Sequence, residues 1–143
     1  MSEHRLSFPA DGAVLREVRA NVRRLAKDLG AEPAACDNLA LVVDELVNNA
    51  IEHGAYYRRQ NLDLAVEIHR KGGRLSIEFF DQEMPQDAVE ELGRALDAAA
   101  NGMPSLDSER GRGLFLLSIY LESLRVQPAP SGGLRLVGFL NSQ

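Results

Sequence analysis

The run from Asp44 to Gly54 reads DELVNNAIEHG. Glu45, Asn49 and Glu52 or His53 recur at helical spacing, so on a helix they share one polar stripe. A carboxylate and an amide on one side suit a hard cation, because an amide oxygen can join phosphate oxygens and waters around Mg²⁺. A nearby carboxylate can also accept a proton. Taken alone, a solvated helix face is the plainer reading of that stripe. Asp81 closes a second apolar run, where a carboxylate can accept a hydrogen bond from an exocyclic amine, although most strand-end aspartates are turn or cap residues. A third element, Glu109-Arg110-Gly111-Arg112-Gly113-Leu114-Phe115, reads as a glycine loop entering a helix. Glycines let backbone amides approach phosphate oxygens, the helix start adds the positive end of its dipole, and Arg110 and Arg112 add charge. No Gly-Lys-Ser/Thr follows, so this is not a Walker loop.

These three groups need a frame that brings them together. Arg5 to Phe8 reads as a short strand, with Asp11 standing at a helix N-cap. Val14, Val18, Val22, Leu25 and Leu29 then form a helical stripe opposite Arg16, Arg19, Arg23 and Arg24, and Gly30 stops it. Pro33 opens a second helix with Leu39, Val43, Leu46 and Ala50 on its buried side, running to His53-Gly54. Leu62 to His69 and Leu75 to Phe79 alternate about Lys71-Gly72-Gly73, which predicts a hairpin. Gln86 to Ala100 is helical, the stretch from Asn101 to Arg112 reads as a mobile loop fit for a lid, and Gly113 to Leu124 resumes a helix. Pro128 to Gly133 turns into a last strand, Leu134 to Leu140. Hairpin-linked strands with interposed helices predict an α+β two-layer sandwich, its mainly antiparallel sheet covered by helices on one face.

The chain has 143 residues, 45% of them hydrophobic, which suits one domain over residues 1–143. Sixteen Lys+Arg against 21 Asp+Glu leave a net charge of −5, so the overall charge favours neither nucleic acid nor an anionic membrane. A bound polyanion needs a local device, which the arginine-flanked glycines supply. The single cysteine, Cys36, has no partner for a disulfide or a zinc site, and no apolar run is long enough to span a membrane. A cytoplasmic protein is expected.

In this order, the segments DELVNNAIEHG, Asp81 and GRGLFLL resemble the GHKL ATP-binding fold of gyrase, Hsp90, histidine kinases and MutL, and most of all the anti-sigma-factor serine kinases. The resemblance spans nearly the whole chain. It implies that Glu45 orients or deprotonates the attacking nucleophile and that Asn49, with Asn48 as competitor, ligates Mg²⁺. Asp81 would read the adenine amino group. Gly111, Gly113 and the adjoining Leu114 would stand at the phosphates, with Arg110 or Arg112 on the terminal phosphate. His53 and Gly54 complete the first motif, although a helix-end cation and a C-cap glycine explain those two as well. The resemblance also implies ATP and Mg²⁺ as ligands, serine/threonine-protein kinase activity, a sigma factor and a STAS-type anti-anti-sigma protein as partners, and a homodimer.

One box departs from the family pattern. Where Asp-x-Gly-x-Gly or Asp-x-Gly-x-Pro is usual, this chain has Asp81-Gln82-Glu83-Met84-Pro85. Pro85 and the following Gln86-Asp87-Ala88 fit the anti-sigma variant, but Glu83 places bulk and negative charge beside the expected base, which predicts a weakened site. The alternative is a nucleotide-independent binding module of the same fold that regulates a partner by contact alone.

Overall fold

The computed structural model describes residues 4–101 and 109–141. Strand β1 (Arg5–Phe8) leads into a 3-10 turn, Gly12–Val14, whose first amides are capped by Asp11; its carboxylate accepts from Ala13 N at 2.9 Å. Helices α1 (Leu15–Asp28) and α2 (Pro33–Gly54) follow. They pack through Val18, Val22 and Ala26 of α1 against the apolar stripe of α2, and ion pairs Arg19–Asp44 at 3.0 Å and Arg23–Asp37 at 3.1 Å flank the seam. The basic face of α1 is therefore partly spent on positioning α2. Pro33 sits at the start of α2, where a missing amide costs nothing.

Strands β2 (Leu64–Lys71) and β3 (Arg74–Asp81) form the expected hairpin, with Gly72 and Gly73 at φ of 57° and 81° in its turn. Helix α3 (Gln86–Ala100), helix α4 (Glu109–Tyr120) and strands β4 (Leu121–Pro128) and β5 (Leu134–Leu140) complete the chain. Among the described residues, five strands lie in the order β1-β2-β3-β5-β4, and every neighbouring pair is antiparallel. Inward residues such as Val66, Ile68, Ile77, Phe79 and Leu136 join the helices in one core, giving the α+β sandwich expected from the pattern. No helix among the described residues is long and apolar enough to cross a membrane.

The C-terminal third corrects two expectations. Glu109 to Arg112 are helical rather than loop, while residues 102–108 of the expected lid lie outside the described residues. The last helix ends at Tyr120, not Leu124, because Leu121 enters the ladder opposite Leu140. Ser123 adopts a left-handed φ of 56° within a register shift between Glu122 and Arg125. That bulge brings both Leu121 and Leu124 over Gly138, where an added Cβ would meet their methyl groups at 3.2 Å. Sheet pairing and this packing override the helical pattern of the leucines.

Candidate functional site

The polar stripe of α2 faces the start of α4. Glu45, Asn48, Asn49, Glu52 and His53 from α2, with Arg112, Gly113, Leu114 and Leu116 from α4, line a cavity of about 380 Å³. Gly111 and Gly113 lie within the first two turns of α4 rather than in a loop before it. Gly113 permits close approach of the two helices: a Cβ there would fall 2.5 Å from Glu45 Oε2. Leu114 is buried and anchors this end of α4 in the core. Arg110 stands in α4, and its side chain lies outside the described residues.

Electrostatics single out Glu45. Burial raises its pKa above the ordinary carboxylate value, and the neighbouring charges of Asp44 and Glu52 push the same way. A carboxylate held this way is a better proton acceptor than a solvated one. Asn49, Glu52 and His53 also border an adjoining cavity of about 410 Å³, walled by Tyr56, Tyr57, Met84, Ala88 and Glu91. The two hollows therefore run along one stretch of α2.

Asp81 belongs to neither. It ends β3 fully buried, and Arg58 meets it in a two-pronged pair, Nη1 to Oδ1 at 3.1 Å and Nη2 to Oδ2 at 2.8 Å. The Tyr57 hydroxyl donates to Oδ2 at 2.8 Å. Burial works to lower the Arg58 pKa, but the hydrogen bond and charge of Asp81 outweigh it and hold the guanidinium above its ordinary value. Tyr57 is pushed up by burial, then by the charge and hydrogen bond of Asp81. Pro85 precedes α3 at φ −73°, ψ 161° as its N-cap and lines neither hollow.

Residues 8–136 match the family described as histidine kinase-like ATPase domain. The chain belongs to that family. The histidine kinase-like domain also superposes on a chain from the crystal structure of the SiaB–SiaC complex from Pseudomonas aeruginosa, with a TM-score of 0.73 at 17% identity, over 95% of this chain and 88% of that one. At that identity the likeness is one of fold. No curated protein matches the chain in sequence.

Within the histidine kinase-like domain, the donor set facing the first hollow is oxygen-rich and anionic, and it fits a Mg²⁺ ion held by Asn49 with Glu45 alongside. The other acidic cluster, Glu67, His69 and Glu78, alternates with core residues of the sheet and so points away from the helices. Its carboxylates are already paired with Arg5 at 2.5 Å and Arg135 at 2.7 Å.

The carboxylate of Glu83 is taken up by the backbone. Its Oε1 accepts from the amides of Arg59 and Gln60 at 2.8 Å each, and its Oε2 from Leu62 N at 2.9 Å. Although burial alone would raise its pKa, those amides and Arg58 hold it below the ordinary value. Gly54 is not a left-handed cap; the C-cap is Ala55 at φ −57°, and a Cβ on Gly54 would lie 2.5 Å from Arg58 Nη2. Sequence reasoning missed Tyr57 and Arg58. A signal existed: two carboxylates two positions apart, Asp81 at the end of an apolar run and Glu83 just beyond it, call for a cation.

Proposed function

We propose that the chain is an ATP- and Mg²⁺-dependent serine/threonine-protein kinase of the anti-sigma type. In this role it holds a sigma factor in the cytoplasm and phosphorylates a STAS-type anti-anti-sigma partner. The observation that carries this proposal is Glu45, a half-buried carboxylate of raised pKa facing Asn49, Arg112 and the close-packed Gly113 across one hollow. The likeness to a chain crystallised in the SiaB–SiaC complex supports a protein partner.

The reaction joins the partner's hydroxyl oxygen to the γ-phosphorus of ATP and breaks the bond from that phosphorus to the β–γ bridging oxygen, leaving ADP. Glu45 accepts the hydroxyl proton. Arg112 lends positive charge to the oxygens that gain it, and the α2–α4 wall fixes the approach. Mg²⁺, when held by Asn49, supplies charge neutralisation for the triphosphate. Added to a docking face, the phosphoryl group brings about −1.5 to −2 charges and weakens the product's hold.

The test pairs MgATP titration with transfer of labelled γ-phosphate to STAS-domain proteins of the same genome. Wild type should bind and transfer, and Asn49→Ala should lose the Mg²⁺-dependent part of binding. Transfer by Glu45→Ala at the wild-type rate would overturn the base assignment. A second reading, the nucleotide-independent module, draws on the Arg58–Asp81 pair. It requires partner binding that neither ATP nor Glu45→Ala alters.

A further inference from the structure

Asp81 has an occupant supplied by its own chain. A carboxylate offers about four lone-pair positions. Here four donors take them: Arg58 Nη1 and Nη2, the Tyr57 hydroxyl at 2.8 Å and Glu83 N at 3.2 Å. The Arg58 and Asp81 side chains are 8% and 1% exposed, so water does not compete for the pair. No acceptor position is left for a ligand amine while Arg58 stays.

Arg58 is also held from behind. Its Nη2 donates to Ala50 O of α2 at 3.2 Å, and its Nη1 lies 3.5 Å from Glu83 Oε2. Glu83 gathers the amides of Arg59, Gln60 and Leu62, which fixes the turn from which Arg58 projects. Gly54 leaves the space the guanidinium fills. The hollow between α2 and α4 shares none of these contacts.

We propose that Arg58 is a specificity-determining latch that occupies the place of a purine amine at Asp81, so that adenine and Arg58 compete for one carboxylate. Glu83 sets how firmly the latch is held, and the α2–α4 hollow takes the magnesium-bound polyphosphate whether or not a base follows. The proposal rests on the nucleotide reading above and divides the site into an open half and a latched half. Base recognition then requires that the turn at residues 57–62 give up Arg58.

Calorimetric titration of the full chain with magnesium tripolyphosphate, MgATP and MgITP separates the halves, since hypoxanthine lacks the exocyclic amine of adenine. Tripolyphosphate should bind wild type, Arg58→Ala and Glu83→Gln within about twofold of one another. MgATP should tighten at least tenfold in Arg58→Ala, which is 1.4 kcal/mol by the usual conversion, and by a smaller factor in Glu83→Gln; MgITP should not follow. Should Arg58→Ala fail to fold, Glu83→Gln decides by the same comparison. Tripolyphosphate binding together with MgATP affinity that neither variant strengthens overturns the latch and leaves the phosphate half standing. Failure of all three ligands to bind any of the proteins overturns the nucleotide reading, and the latch with it.

Discussion

Two groups of polar residues flank the C-terminal half of α2, and they treat their charges in opposite ways. On the α4 side, Glu45 is only half-buried, which is enough to raise its pKa, and its carboxylate faces a hollow with Asn49 and Arg112. On the β3 side, the Asp81 and Glu83 side chains are buried, but Arg58, Tyr57 and three backbone amides take up their charge. A buried carboxylate must be neutralised, hydrogen-bonded or made costly to ionise. The first group accepts the cost, as reactive sites do. The second removes it, as structural clusters do, at a position where the family resemblance leads one to expect ligand recognition.

The contrast is broken most sharply by Glu45→Ala. Phosphoryl transfer should fall by roughly 10²–10⁴, the usual worth of a positioned base, while calorimetry still detects MgATP; equal loss of binding would make Glu45 a structural residue. On the latched side the large effect is on stability. Arg58→Ala leaves Asp81 short of its counter-charge, and breaking a buried pair costs about 3–5 kcal/mol, readable as a lower urea midpoint. A change of a few tenths would mean that the pair is solvated in the folded protein.

The pH dependences should run in opposite senses. Glu45 has a folded pKa above the ordinary 4.5, so transfer should lose its base as pH falls through a value above that figure. Ionised Glu45 costs stability at neutral pH, and protonation in acid recovers it. Glu83 has a folded pKa below 4.5. Its contribution is complete above the unfolded value and is lost as pH falls through the folded one. A pH-rate profile and acid-denaturation curves of wild type and Glu83→Gln check both senses; an acid limb of transfer below 4.5 would contradict the first.

The smallest expected effect is the stability change in Gly113→Ala. Alanine favours a helix by about 1 kcal/mol over glycine, but its Cβ would crowd Glu45 Oε2. Melting temperature should hardly move while transfer drops, because the carboxylate must swing aside. Unchanged transfer would show that the position of Glu45 is not critical.

Much of this was legible in the residues. Val18 and Val22, the α2 stripe and the alternation in β2 and β3 mark buried faces by period alone, and the spacing of Glu45, Asn49 and His53 brings them to one hollow. The start of β4 was not legible, since Leu121 and Leu124 fit a helical period and only pairing with β5 and the bulge at Ser123 reassign them. The latch was hidden for a related reason. Arg58 and Asp81 are 23 positions apart, and their contact depends on the path of the turn that Glu83 gathers. Local pattern shows that Asp81 needs a partner; tertiary packing decides that the partner is internal.

Crystals soaked with Mg²⁺ and a non-hydrolysable ATP analogue test the division of the site most directly. Phosphates should lie between Asn49 and the start of α4, with Arg58 withdrawn from Asp81 wherever adenine is ordered. Adenine seated on Asp81 with Arg58 still paired to it, or phosphates bound elsewhere on the chain, would contradict that division.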